Sequence, residues 1–218
     1  MEQNRYLGIY VAGDRTTVVL ISKTGGKIEV LEQFSVPAAP PQQGQQQGFS
    51  FAETAKSIAS ICAEKQLVFS DVAAAIDCGL YRQQKLHSEF EDYRQIAQTI
   101  KFDAEEALAV DAAQTAVAFE VLGKQLSGSE VATFAAPASV MSEIIVSLQN
   151  NKLDPVTVEP DSICFRRVID SAGQDAIVAA VSQTRCFLLC PLLPSGKATV
   201  RSFVTSASQN KMWKFIFY

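Results

Sequence analysis

Tyr6-Leu7-Gly8-Ile9-Tyr10-Val11-Ala12-Gly13-Asp14-Arg15-Thr16-Thr17-Val18-Val19-Leu20 is rich in β-branched side chains and is interrupted once, by the small cluster Ala12-Gly13-Asp14. β-Branched residues suit the pleated surface of a strand. Gly beside Asp is turn chemistry. The stretch, continued to Ser22, therefore reads as strand, tight turn, strand. Gly25-Gly26 is a second turn, and Lys27 to Val36 is a third strand with Ile28, Val30 and Leu31 as its apolar residues. The chain opens as a three-strand meander.

Outward from this meander the pattern changes. Pro37 to Gly48 holds three prolines, five glutamines and two glycines, and reads as a surface connector. Ser50-Phe51-Ala52-Glu53 has the form of a capping box before a helix with Phe51, Ala55, Ile58 and Cys62 on one face. Asp71 to Leu80 reads as a mostly apolar, buried strand. Ser88-Glu89-Phe90-Glu91 is a second capping box. The helix behind it turns Tyr93, Ile96, Ala97, Ile100, Ala104 and Leu108 to one side. Strands are expected at Thr115–Leu122 and Glu130–Ala136, a helix from Pro137 to Asn150, a strand at Pro155–Val158 and a short helix at Ser162–Ile169. Ala176–Val181, Arg185–Leu192 and Ala198–Val204 read as a second meander. The order is βββ-α-β, α-ββ-α-β-α, βββ, a mixed α/β pattern.

The 218 residues are 48% hydrophobic and 19% charged, a globular composition. A net charge of −4 leaves no basic footprint for nucleic acid, and argues against direct adhesion to anionic lipid. The N-terminus leads straight into strand-like sequence, which reads as no signal peptide. The longest uncharged apolar runs, such as Cys186 to Leu193, fall short of the ~20 residues that span a bilayer. Five cysteines without a CxxC fit reduced thiols in a cytosolic protein. Catalytic signatures are missing. His87 is the one histidine and sits beside Ser88 at a strand end, a surface position rather than a triad. Cys186 and Cys190 share one face of an apolar strand, which suits core packing better than zinc. Asp103, Glu105 and Glu106 splay on a helix as a solvated face. No GxxxxGK[ST] or GxGxxG occurs. Neither a catalytic residue nor a metal ligand is assigned.

The run from Tyr6 to Leu20 resembles the first phosphate loop of the actin, sugar-kinase and heat-shock-chaperone fold. Three later stretches resemble the PilM family of type IV pilus assembly proteins and its L-type relatives in type II secretion. Asp92 to Val110 is similar to the helix that begins that family's inserted subdomain. Val131-Ala-Thr-Phe-Ala-Ala-Pro-Ala-Ser-Val140 is similar to its strand and helix start. Leu153-Asp-Pro-Val-Thr-Val-Glu-Pro-Asp-Ser162 is similar to its return strand. The likeness covers residues 6 to 205. It implies an actin-like (ribonuclease H-like) α/β fold with a first lobe at 1–85, an inserted α/β subdomain at 86–160 and a partial second lobe at 161–218.

The departures from the family pattern bear on nucleotide. Each phosphate loop of the fold carries a metal-placing Asp and, two residues on, a Gly that lets the backbone approach phosphate. Here Tyr10 and Ala12 hold those positions in the first loop, with Gly13, Asp14 and Thr16 following. In the second loop, Ile177 to Thr184, Ala179 replaces the Asp and Val181 the Gly, while Thr184 remains. Both phosphate loops are thus degenerate, and no cofactor is expected. The resemblance implies a non-enzymatic cytoplasmic scaffold, peripheral to the inner membrane. It would dock the cytoplasmic segment of an inner-membrane assembly protein between first lobe and inserted subdomain, with homodimerisation open. The alternative is a nucleotide-binding actin-fold ATPase using ATP and Mg²⁺, for which Asp14 is the one nearby carboxylate. The aromatic tail, with Trp213, Phe215, Phe217 and Tyr218, and the apolar strand Cys186–Cys190 raise the expectation of a sticky surface near the second meander.

Overall fold

The computed structural model describes residues 4–38, 50–172, 178–181, 185–191 and 198–204, with side chains as far as Arg167. Two compact units divide the chain, Met1–Asp161 and Ser162–Tyr218.

The first unit opens with the expected meander: β1 (Asn4–Val11), β2 (Arg15–Thr24) and β3 (Lys27–Pro37). Gly25 and Gly26 turn the chain with φ of 56° and 85°, left-handed values that cost glycine little. Helix α1 (Ala52–Glu64) leads to β4 (Asp71–Ile76), and a much later strand, β8 (Pro155–Pro160), joins the same sheet. The order is β3-β2-β1-β4-β8. The meander is antiparallel, whereas β4 runs parallel to β1 and β8 parallel to β4. Along β1, Leu7, Ile9 and Val11 are buried while Gly8 and Tyr10 face the other way half-buried, the period of two set by the pleat. Ala55, Ile58 and Cys62 of α1 and Ile144 and Leu148 of α3 (Ala138–Asn150) complete this core.

Between β4 and β8 lies a second layer pair. Strands β5 (Arg82–Ser88), β6 (Thr115–Lys124) and β7 (Ser129–Pro137) form an antiparallel sheet in the order β5-β7-β6, against which α2 (Tyr93–Leu108) packs. Ile96, Ile100 and Val131 are its fully buried centre, with Leu86, Phe90, Val117, Phe119 and Val121 packed around them. The second unit contains most of α4 (Asp161–Ala172) and a meander, β9 (Val178–Val181), β10 (Arg185–Pro191) and β11 (Ala198–Val204), ordered β11-β10-β9.

Several readings of the sequence need correction. The single strand expected over Asp71–Leu80 ends at Ile76, and a further strand, β5, follows. Neither expected capping box caps its helix. The N-cap of α1 is Phe51, whose side chain makes no cap bond. Its backbone N–H instead donates to Glu143 Oε1 of α3 at 2.9 Å. Helix α2 is capped by Asp92, which accepts from the N–H groups of Arg94 and Gln95 at 3.0 and 3.2 Å. Tyr93 is 61% exposed rather than inward, its ring stacked on Phe119 at 4.8 Å, and Ala97 is exposed. His87 lies exposed on β5 opposite Glu130. The connector from residue 39 to 49, Thr184, the aromatic tail and the side chains of Cys186 and Cys190 lie outside the described residues.

Candidate functional site

Parallel pairing brings three strand ends together. Val11, Ile76 and Pro160 stand side by side at the carboxyl ends of β1, β4 and β8. The Asp77 N–H continues the ladder onto the Val11 carbonyl at 2.9 Å. Ligands of open α/β sheets gather at such carboxyl ends. Here the residues just past the ends are Asp77 and Asp161, both buried, at 1% and 2% exposure.

Tyr10 reaches both carboxylates. Its hydroxyl lies 2.8 Å from Asp77 Oδ2 and 3.1 Å from Asp161 Oδ2. Tyr81 donates to the other oxygen, Asp161 Oδ1, at 2.6 Å. The Cys78 N–H reaches Asp161 Oδ2 at 3.2 Å, and the Gly79 N–H reaches Asp77 Oδ1 at 2.8 Å. Burial dominates the electrostatics. It pushes the Asp161 carboxyl up to about 6, with the neighbouring Asp77 charge adding to it, against the hydrogen bonds from Tyr81, Tyr10 and Cys78. Burial, and then the two carboxylates, hold the Tyr10 hydroxyl well above its ordinary value, so it stays a proton donor.

The remaining residues of the first loop are less engaged. Ala12 is buried and its N–H closes the turn on the Arg15 carbonyl at 3.0 Å. Gly13 is exposed. Asp14 is exposed and pairs with its neighbour Arg15 at 3.3 Å. Thr16 is buried opposite Val11. Ala179 and Val181 lie on β9 opposite Leu188 and Cys186. The sequence reading missed Asp77, Asp161 and Tyr81. Asp161 stood inside a quoted stretch, but nothing local marks it as a partner of a residue 151 positions away.

Beside this cluster the first unit opens a cleft of about 400 Å³, bounded by Gly79–Arg82, by Ala109–Asp111 with Gln114 and Thr115, and by Ala135–Pro137. Arg82 forms part of its wall and donates from Nη1 to the Leu108 carbonyl at 2.8 Å, at the C-terminal end of α2. A smaller apolar slot of about 90 Å³ separates the two sheets, with Ile76 and Val158 on one side, Ala116 and Phe134 on the other and Met141 at its border. Tyr81 lines both hollows and meets Phe134 edge to face at 5.8 Å.

The fold, with its five-stranded mixed sheet and the α/β insertion between β4 and β8, is similar overall to that of several solved structures. One is described as a PilM-PilN type IV pilus biogenesis complex, with TM-score 0.74 and 16% identity over 93% of this chain and 62% of that one. Another is the cytoplasmic domain of EpsL, an inner membrane component of the type II secretion system of Vibrio cholerae. It gives TM-score 0.59 and 14% identity over 91% of this chain and 71% of that one. A third, from Bacteroides thetaiotaomicron, is described as having an actin-like ATPase fold. It gives TM-score 0.57 and 12% identity over 93% and 71% of the two chains. The chain has an actin-like fold. It spans less than two thirds of the chain it matches in the PilM-PilN structure. No family model and no curated protein matches the sequence.

ATP with Mg²⁺ is the cofactor the actin-like fold implies, and the first loop does not fit it. The Tyr10 phenol stands within hydrogen-bond reach of both carboxylates that a cation would need. Ala12, at the position the resemblance gives to a phosphate-loop glycine, is buried and carries a Cβ. Asp14 is turned to Arg15 at the surface.

Proposed function

We propose that this chain is a non-catalytic scaffold of a type IV pilus or type II secretion assembly, cytoplasmic and peripheral to the inner membrane, that binds the cytoplasmic segment of a membrane-anchored partner. The observation that carries the reading is a contrast within one unit. The strand-end carboxylates are tied up by Tyr10 and Tyr81, while the adjoining cleft, lined by the Gly79–Arg82 link and the inserted sheet, stands open. The likeness to the PilM-PilN complex and to the EpsL domain supports a role beside an inner-membrane partner. No helix among the described residues is long and apolar enough to cross a membrane. An extended segment that orders in the cleft loses conformational freedom as it binds, which gives modest affinity.

The test is co-expression of the chain with the membrane proteins encoded beside it, followed by affinity recovery. The wild type should recover one of them, and a Gln114→Trp variant, which places a bulky ring in the cleft from an exposed position, should not. Recovery of none by a folded wild type overturns the reading. The second reading, a nucleotide-binding ATPase, is favoured by one observation, the pair of buried carboxylates at the strand ends. Magnesium-dependent ATP binding in calorimetry would decide for it.

A further inference from the structure

The five-stranded sheet has two edges, β3 and β8, and they are protected unequally. An unpaired edge is a row of N–H and C=O groups that another strand can take up, and edges are ordinarily blunted by proline, by a bulge or by an overlying element. Strand β8 is six residues long and has proline at both ends, Pro155 and Pro160. The later half of β3 is blunted too. Leu31 has no partner where the pairing with β2 slips, Glu32 is bound by Lys65 of α1 at 3.0 Å, and the strand ends on Pro37. The earlier half, residues 27–30, has none of these devices among the described residues. Ile28 is 66% exposed and Val30 60%. Lys27 and Glu29 are exposed as well, and their side chains have no partner among the described residues.

The turn before β3 fixes which backbone groups this half offers. Gly25 and Gly26 both have positive φ and set Thr24 opposite Lys27. In a two-residue hairpin of this kind the flanking pair exchanges both backbone hydrogen bonds. Bonding alternates from there, so Glu29 also turns its N–H and C=O to β2, while Ile28 and Val30 turn theirs outward. A second β3 can meet them antiparallel about a two-fold axis, and charge selects the register. Centred on Glu29, the pairing sets Glu29 against Glu29. Centred on Val30, it runs into the slip at Leu31. Centred on Ile28, it sets Ile28 against Ile28 as a hydrogen-bonded pair. Lys27 then stands opposite Glu29 on both sides of the axis, in the positions where side chains approach closest. We propose that residues 27–30 are an interaction edge for a second copy of this chain, which pairs antiparallel about Ile28 and joins the two five-stranded sheets edge to edge. The same patch serves both copies, so the contact closes at a dimer. Pairing over so few residues makes that dimer reversible. Lys27 and Ile28 lie beside the start of β1, at the far end from Val11 and the strand-end carboxylates, so the contact leaves that cluster free in each copy.

The experiment is sedimentation velocity of the full chain over about 5 to about 500 μM, a range that spans reversible association. The proteins are the wild type, Lys27→Glu, Glu29→Lys and the two reversals together, all at exposed positions. Far-UV dichroism checks that each is folded. The wild type should pass from monomer to dimer across this range. Each single reversal sets like charges opposite each other twice across the axis and should weaken dimerisation at least about tenfold. The double variant restores opposite charges in the same register and should return to within about threefold of the wild type. A wild type that stays monomeric throughout overturns the proposal. A dimer indifferent to either single reversal overturns it too, and puts the contact elsewhere in the chain. A dimer weakened by both reversals but not recovered by the double variant overturns the pairing about Ile28. Growth beyond a dimer overturns the closed two-fold contact.

Discussion

Replacing Tyr10 with Phe keeps the ring and removes a hydroxyl that reaches both strand-end carboxylates. Asp161 would keep the Tyr81 hydroxyl at 2.6 Å and the Cys78 N–H at 3.2 Å, and Asp77 would keep the Gly79 N–H at 2.8 Å. A hydrogen bond to a charged group contributes about 1.5–3 kcal/mol. Tyr10 is half-buried, so the lower half of that range applies. The loss depends on pH. Asp161 titrates at about 6 in the folded protein against an ordinary 3.8. Between those values the native state holds a proton that the unfolded chain has released. The stability from this group is therefore complete below about pH 4 and is lost as the pH rises through about 6, a loss of about 3 kcal/mol at 1.36 kcal/mol per unit. The Tyr10 hydrogen bond lowers this carboxyl's pKa, so the Phe variant should titrate higher still and lose stability over a wider window. Urea unfolding at about pH 5 and about pH 8 measures this directly, because groups common to both proteins cancel in the difference. The variant should be about 1 kcal/mol less stable at the lower pH, where Asp161 is mostly neutral, and about 2 kcal/mol less stable at the higher. Equal losses at both values, or none, would show that Tyr10 does not hold the carboxylates as described.

Thr133 is fully buried on β7 and its hydroxyl finds no hydrogen-bond partner among the described residues. Thr133→Val should stabilise the protein by about 1 kcal/mol in denaturant titration. Gly128 closes the β6–β7 turn at φ 87°, and a Cβ there would collide with the Ser88 carbonyl. Gly128→Ala should cost about 2–4 kcal/mol, visible as a fall in the thermal midpoint. Calorimetry with ATP and Mg²⁺ should register no micromolar binding, because each missing charge-assisted contact in the first loop removes about 1.5–3 kcal/mol.

The opening meander was legible because Val11, Thr16, Thr17, Val18, Val19 and Ile21 are β-branched and one cluster of turn residues, Ala12-Gly13-Asp14, interrupts them. Strand β5 was not, because Arg82-Gln83-Gln84-Lys85 is uniformly polar. It lies at a sheet edge and half in solvent, where burial imposes no pattern. The two apparent capping boxes show the limit of local motifs. Glu143, which binds the first turn of α1, lies 92 residues from Phe51 and no window around α1 contains it. The candidate site was legible by half. The resemblance of the first strand to the fold's phosphate loop drew attention to Tyr10. That it then bonds Asp77 and Asp161 depends on contacts across 67 and 151 residues, which composition and periodicity do not encode.

The position of the α/β insertion sets a clock on the ribosome. Strand β4 takes β1 as one neighbour almost as soon as it emerges. Its other neighbour, β8, follows only after the roughly 80 residues of insertion and α3 have been made. At about 5–20 residues per second that interval is roughly 4–16 s. Throughout it the far edge of Val72–Ile76 lacks its partner strand, and Asp77 waits without Asp161. A short apolar strand left in this state is an invitation to wrong pairing. Rapid closure of the inserted sheet, whose strands and helix are neighbours in sequence, is therefore what brings β8 within reach and ends the exposure.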